Sequence, residues 1–334
     1  MLQTCTITEL IINCCYFVGL YEDINSMTFP TSPNNKRIKG NILDNTKINL
    51  KDYFSLTKPR IIVLLTVTGI GGFFVPQPNM IGVSFLDLLI FVFVGYAAAG
   101  GAMTINNYID RDIDILMDRT KDRPSVREEG LEPIKVLQFG IVLTTLGIVT
   151  AGLYFNLLTA LFLSWGALFY LFGYSLFLKR KSILNTILGG LASPAPVWVG
   201  YAARTNSIPI EGWLLGAIVF IWTPSHTWAL STKHMADYKR ANIPMLPVRL
   251  GMEKTAKITM FAGIITMIYG TWFAYYLESS SLVIIALIIP NMILFYGLWV
   301  FYDKPSTHTA DICFKAHNAW MAIIFGIIVL FLWI

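Results

Sequence analysis

The side chains best suited to chemistry sit at the end of a long apolar run. Asn106, Asp110, Asp114 and Asp118 recur every fourth residue in "GAMTINNYIDRDIDILMDRTKDRPS". If the run continues as a helix, that spacing puts all four along one face, about a turn apart. Like charges so placed repel by roughly a few tenths of a kcal/mol per pair in water, and by more where solvation is poorer. A carboxylate ladder at an apolar boundary therefore asks for a cation. Hard oxygen donors with an amide above them suit Mg²⁺, which takes one or two carboxylates and completes its shell with phosphate oxygens. Asp112 falls off this face and reads as a solvated charge. Asp118 stays open between metal binding and an ion pair with Arg119, Lys121 or Arg123. The competing reading of the whole ladder is a solvated, salt-bridged helix end.

Arg119 and Arg123 follow directly, four residues apart. Arginine donates bidentate hydrogen bonds to phosphate, so cations beside a metal-binding carboxylate face fit a diphosphate. A positive-inside loop would carry the same residues without any ligand.

The elements that hold these groups are membrane spans. Of 334 residues, 55% are hydrophobic and 13% are charged, about half the charged share of a globular chain. Mean hydropathy is +0.61. So few polar side chains exclude a water-soluble fold. The net charge of +5 is confined to loops between apolar runs, so it reads as a topology signal and excludes nucleic-acid binding. Nine candidate spans are expected at 60–76, 84–106, 134–154, 157–178, 183–203, 211–231, 255–277, 282–302 and 316–334. Internal Gly189, Gly190, Pro194, Pro196 and Pro224 are tolerable where neighbouring helices satisfy the freed backbone groups.

Basic residues gather on alternate loops: Lys58 and Arg60, then Arg111 to Arg127, then Lys179 to Lys181, then Lys233 to Lys254. The positive-inside rule makes those loops and the N-terminus cytoplasmic and puts the C-terminus outside a cell membrane. Cys5, Cys14, Cys15 and Cys313 have neither zinc spacing nor a disulfide framework. The apolar patch from Ile11 to Leu20 is too short to span and lacks a basic n-region. Glu9, Glu22 and Asp23 argue against a mitochondrial transit peptide. Residues 1–52 are therefore expected to be a flexible cytoplasmic extension, and 53–334 the transmembrane domain.

The pattern Asn106-x-x-x-Asp110-x-x-x-Asp114 at the end of a second span resembles the first aspartate motif of the UbiA-type intramembrane prenyltransferases. "LTKPR" from Leu56, "MDRTKDRP" from Met117, "LKRKSILNTILGG" from Leu178 and "WTPSHTWALSTKHMADYKRANIPMLPV" from Trp222 resemble one branch, the protohaem IX farnesyltransferases. The resemblance covers residue 53 to the C-terminus. It implies an all-α integral membrane fold of about nine transmembrane helices around a central cavity, with two polar motifs facing each other at its cytoplasmic mouth.

The second motif, a DxxxD in many relatives, here reads Lys233-His234-Met235-Ala236-Asp237, so only Asp237 remains acidic. The resemblance further implies Mg²⁺ held by Asn106, Asp110 and Asp114, with Asp237 joining the catalytic set. Arg119, Arg123, Lys179, Arg180 and Lys233 would bind the diphosphate. Its substrates would be haem B and farnesyl diphosphate, and haem-modifying or oxidase-assembly proteins would act downstream. His226, inside the branch-specific stretch, would contact the haem through its iron or a propionate; the alternative is a helix-end histidine bonded to a neighbour. The Phe- and Tyr-rich fourth span would wall the prenyl chain or face lipid. Two other functions stay open: transfer to an aromatic or quinone precursor, and a transporter whose ladder binds a coupling cation.

Overall fold

The computed structural model describes residues 50–76, 83–277 and 280–331, and the expectation for residues 1–49 lies outside them. Among the described residues every regular element is helical. Helix α1 (Leu50–Leu56) meets α2 (Pro59–Phe74) at a bend of 52°. The bend is made by Lys58 in the left-handed region, φ 54°, followed by Pro59 at the first position of α2. A non-glycine residue there is uncommon.

Helix α3 (Phe85–Ile109) opens on a capping box. The Asp87 N–H donates to Ser84 Oγ at 3.1 Å and the Ser84 N–H to Asp87 Oδ2 at 2.7 Å, satisfying two amides that a helix start otherwise leaves open. After the short α4 (Arg111–Asp114) and a loop come α5 (Pro133–Tyr154) and α6 (Leu157–Leu168). Helix α6 runs on as a π-helix, Phe169–Leu178, and ends at Lys179–Lys181.

The fifth expected span is broken into α7 (Asn185–Gly189), a 3₁₀ turn (Gly190–Ala192) and α8 (Ala195–Thr205). Pro194 and Pro196 remove two donors there, and the Ser193 hydroxyl donates to Gly190 O at 2.6 Å in the interrupted turn. The remaining helices are α9 (Ile210–Lys233), α10 (Met235–Arg240), α11 (Leu246–Leu250), α12 (Met252–Leu277), α13 (Ser281–Asp303) and α14 (Thr307–Phe331).

Among the described residues six helices are long and apolar enough to cross a membrane, or seven if the bent pair α1–α2 counts as one span. Where they are described, the expected nine segments fall largely on helix, but by this measure fewer qualify as spans. Consecutive spans pack on one another, and α14 also packs against α2, so the bundle closes on itself. Its largest buried side chains include Trp320, Phe273, Phe301 and Phe325. Large apolar residues such as Phe261, Ile268, Ile289 and Leu153 stay exposed, as a bilayer-facing surface requires.

Small residues set the closest approaches. A Cβ added at Gly101 of α3 would lie 2.3 Å from Thr144 Oγ1 and 2.5 Å from Thr144 N of α5. One at Gly72 of α2 would lie 2.1 Å from Val197 O of α8. Such contacts between backbones are the main source of association where lipid provides no hydrophobic drive.

Candidate active site

The polar side chains converge at one end of this bundle, where α3 ends. The i,i+4 backbone bonds continue past Ile109: the Asp110 N–H donates to Asn106 O at 2.9 Å and the Asp114 N–H to Asp110 O at 2.8 Å. Helical phase is thus kept through Asp114, and Asn106, Asp110 and Asp114 are buried, at 4%, 1% and 3% exposure.

The ladder stops there. The chain turns after Asp114 because Met117 packs with Ile113, Tyr238, Ile243 and Met245 in a small core. Asp118 therefore leaves the face the spacing assigned it. It is 65% exposed and paired with Lys121 at 2.9 Å and Arg240 at 2.5 Å. The two pairings hold its carboxyl below the usual range, Lys121 first and Arg240 next.

Each inner carboxylate meets a cation from a different element. Asp110 Oδ2 accepts from Lys179 Nζ at 2.5 Å and from Asn106 Nδ2 at 2.7 Å. Its Oδ1 is buried and accepts no hydrogen bond, with the Arg180 guanidinium 3.6 Å away. Asp114 Oδ2 pairs with Arg123 at 2.5 Å, and Arg123 also donates to Asn107 Oδ1 at 3.2 Å. Asn106 is held from three sides: its amide donates to Asp110 and to Ser175 Oγ at 3.0 Å, and its Oδ1 accepts from Lys58 Nζ at 2.9 Å.

The π-helix sets part of this geometry. Its wider turn lets the Ser175 hydroxyl donate to Tyr170 O, five residues back, at 2.9 Å while it faces Asn106. π-Helical turns are rare and concentrate at functional sites. Within the same stretch Tyr170, like Ile105 and Ile109 of α3, packs against the buried Ala102, Ala167 and Leu171, whereas Phe172 is exposed on the outer surface. Phe162 lies in a separate aromatic group with Trp198 and Trp213.

Arg119, Arg123 and Lys58 border a cavity of about 290 Å³ with Asn107, Asp122 and Ser55. A larger groove of about 600 Å³ lies between α12 and α13, lined by apolar residues with Thr271 and Asn291. It opens on the outer face and holds none of the ionic groups, so the smaller cavity is the one relevant to charge. Arg180 binds Asp112 bidentately, at 2.6 and 2.8 Å. Burial pushes the Asp112 carboxyl up, but Arg180, together with backbone N–H groups, holds it below its usual range.

The second motif is arranged differently from the first. Asp237 accepts the backbone N–H of Asp118 at 3.2 Å and of Arg119 at 3.4 Å, and pairs with Arg240. Its carboxylate thus holds the loop that carries Arg119, and no contact joins it to Asp110 or Asp114. Lys233 also turns away from the ladder and pairs with Asp311 of α14 at 2.7 Å.

His226 stacks on Trp222 with ring centroids 3.9 Å apart, lies 4.7 Å from Phe314, and leaves its buried Nδ1 without a partner. His317 is engaged on both sides, by Ser225 Oγ at 2.9 Å and Cys313 O at 2.8 Å. Sequence reasoning missed Lys58, Asn107, Ser175 and Asp311 as members of these networks.

The donor set fits Mg²⁺ in one manner. Among the described residues no three acidic, histidine or cysteine side chains gather into a closed metal cage. Two buried carboxylates, one with an oxygen accepting no bond, suit an ion that takes one or two carboxylates and completes its shell with phosphate.

Residues 64–324 match the model of the UbiA prenyltransferase family. The chain is 34% identical to the protohaem IX farnesyltransferase of Rickettsia prowazekii, over 86% of this chain and 92% of that one. It is 33% identical to protohaem IX farnesyltransferase 1 of Cenarchaeum symbiosum, over 84% and 95%. Among solved structures, a UbiA homologue of Archaeoglobus fulgidus bound to GPP and Mg²⁺ superposes with a TM-score of 0.64 at 19% identity, covering 83% of this chain and 99% of that one. A digeranylgeranylglyceryl phosphate synthase gives 0.66 at 19% identity, covering 85% and 98%. The matched span, the shared helical architecture and the likeness to curated relatives over most of the chain make this a multi-pass membrane protein that belongs to the UbiA prenyltransferase family.

Proposed function

We propose that this enzyme transfers the farnesyl group of farnesyl diphosphate to a vinyl group of haem B, with addition of water, giving haem O and diphosphate. One observation carries the assignment of the site: two buried carboxylates, Asp110 and Asp114, each paired with a cation from another element beside a cavity lined by Lys58, Arg119 and Arg123. Its acceptor follows from the relatives named protohaem IX farnesyltransferase.

In the reaction the C–O bond between farnesyl C1 and the diphosphate breaks, and its electron pair leaves with the diphosphate. Lys58, Arg119 and Arg123 stabilise the departing charge, and Lys179 and Arg180 keep Asp110 and Asp112 oriented. Fixed charges in a site shielded from water act without reorganisation as charge develops. Asp110 and Asp114, steered by Asn106, would hold Mg²⁺, which neutralises the diphosphate when bound. Asp237 acts through the loop, keeping the Arg119 backbone in place. The vinyl group attacks the allylic carbon, and water adds to the resulting cation with loss of a proton. Apolar side chains such as Ile105, Ile109 and Tyr170 keep water from the first cation. The basic loops make this end cytoplasmic by the positive-inside rule. Haem-modifying or oxidase-assembly proteins would receive the product.

A competition assay tests the acceptor. Purified protein in detergent receives farnesyl diphosphate, Mg²⁺, haem B and an aromatic-acid prenyl acceptor together. Mass spectrometry is expected to find one hydrated farnesyl group added to haem and none to the aromatic acid, and nothing when chelator is present. Prenylation of the aromatic acid alone would move the function to the quinone-precursor reading. Uptake of a substrate into proteoliposomes without chemical change would support the transporter.

A further inference from the structure

The Lys233–Asp311 pair lies outside the diphosphate cluster and is not used by the mechanism above. Asp311, at the start of α14, takes one lysine on each oxygen: Lys233 at 2.7 Å and Lys315 at 2.8 Å. The trio carries a net charge of +1. An ammonium has three donors, and the side-chain exposures of 34% for Lys233 and 72% for Lys315 leave donors open at the mouth of the bundle.

A strip of stacked aromatic rings lies beneath them along the same two helices. His226 is seven residues before Lys233 on α9, about two turns deeper and on the same face. Its ring stacks between Trp222 and Phe314, and Phe314 is one turn below Asp311 on α14. The strip thus offers aromatic rings, an unpartnered ring nitrogen at His226, and a cationic rim.

We propose that this α9–α14 strip binds the porphyrin acceptor, with Lys233 and Lys315 taking its propionates while Asp311 acts as the internal carboxylate that holds the lysines in position. The proposal rests on the haem reading above and moves Lys233 from the diphosphate to the acceptor. A macrocycle so held has its carboxylates at the wet rim and its opposite, vinyl-bearing edge directed into the apolar bundle. The charge pattern also explains why a lysine stands where many relatives have the first acid of a DxxxD motif. The anion it pairs with is the Asp311 carboxylate of α14.

The test compares haem B with its dimethyl ester by absorbance titration of the full-length protein in detergent. Wild type is expected to bind haem B about ten- to a hundredfold more tightly than the ester, the range for a charge-assisted hydrogen bond. Lys233→Met should lose that preference, Lys233→Arg should keep most of it, and Asp311→Asn should weaken it, because both lysines lose the carboxylate that positions them. KM for farnesyl diphosphate should stay unchanged in Lys233→Met. A Lys233→Met protein that binds haem B normally but shows a raised KM for farnesyl diphosphate overturns the proposal and returns Lys233 to the diphosphate. If Lys233→Met misfolds, Asp311→Asn decides, and unchanged ester discrimination there also overturns it. A wild type that binds no haem at all refutes the functional reading itself.

Discussion

Replacing Lys179 by Met is expected to destabilise the protein by about 3 kcal/mol, and Mg²⁺ is expected to restore most of the loss. Asp110 is 1% exposed. Its Oδ2 accepts the Lys179 ammonium at 2.5 Å, and its Oδ1 accepts no hydrogen bond. Removing one partner of a buried pair leaves an uncompensated charge, at a cost of about 3–5 kcal/mol. The Arg180 guanidinium at 3.6 Å and the Asn106 amide at 2.7 Å remain, which places the loss at the low end of that range. In an Asp110→Asn background the same change removes no counter-charge, so the two mutations should couple by roughly 2 kcal/mol, as contacting residues do. Denaturant titrations of the four proteins in mixed micelles measure the cycle. A ligand that binds only the folded state stabilises by mass action. The variant has lost the cation that competes for Asp110, so Mg²⁺ should stabilise it more than wild type. Additive mutations, or an equal Mg²⁺ effect on wild type and variant, would refute the reasoning.

Lys58→Gly relaxes a left-handed residue but removes the ammonium on Asn106; it should fold normally while kcat/KM for farnesyl diphosphate drops about a hundredfold, the upper range for one charge-assisted hydrogen bond. Gly101→Leu should prevent assembly of α3 on α5, seen as loss of a monodisperse species in detergent, because even a Cβ there would meet the Thr144 backbone. Burial, with the Arg119 and Lys233 charges beside it, holds the His234 imidazole below its usual value of 6.5. The unfolded chain then takes up a proton first as pH falls, so stability should decline below about pH 6.5; His234→Gln should flatten that decline in melts run from pH 7 to pH 5.

The aspartate ladder was legible because a helix repeats its face every three to four residues, and Asn106, Asp110 and Asp114 obey that rule. It failed at Asp118 for a tertiary reason. Met117 is drawn into a core made with Tyr238 and Ile243, 121 or more positions along the chain, and local spacing carries no trace of that packing. Asp237 and Lys233 sit at the right end of the fold, yet their partners, the Asp118–Arg119 backbone and Asp311, were invisible to a motif read within one helix. Asp311 lies before the start of the last expected span, so the span pattern gave it no role. Lys58 had a signal of its own, a lysine against Pro59 between two apolar stretches, where a turn exposes or aims a side chain. Ser175 had none, because the π-helix that turns it toward Asn106 arises from packing and not from composition.

The account rests on Asp110 and Asp114 acting together on the diphosphate, and one side-by-side assay tests that most directly. Wild type, Asp110→Asn, Asp114→Asn and Asp112→Asn, each confirmed as inserted in the membrane, receive haem B, farnesyl diphosphate and Mg²⁺, and the haem product is weighed by mass spectrometry. Wild type and Asp112→Asn are expected to yield farnesylated haem, and the other two to yield none. Near-normal product from both Asp110→Asn and Asp114→Asn, or a loss in Asp112→Asn as severe as in Asp114→Asn, would contradict the assignment of the site.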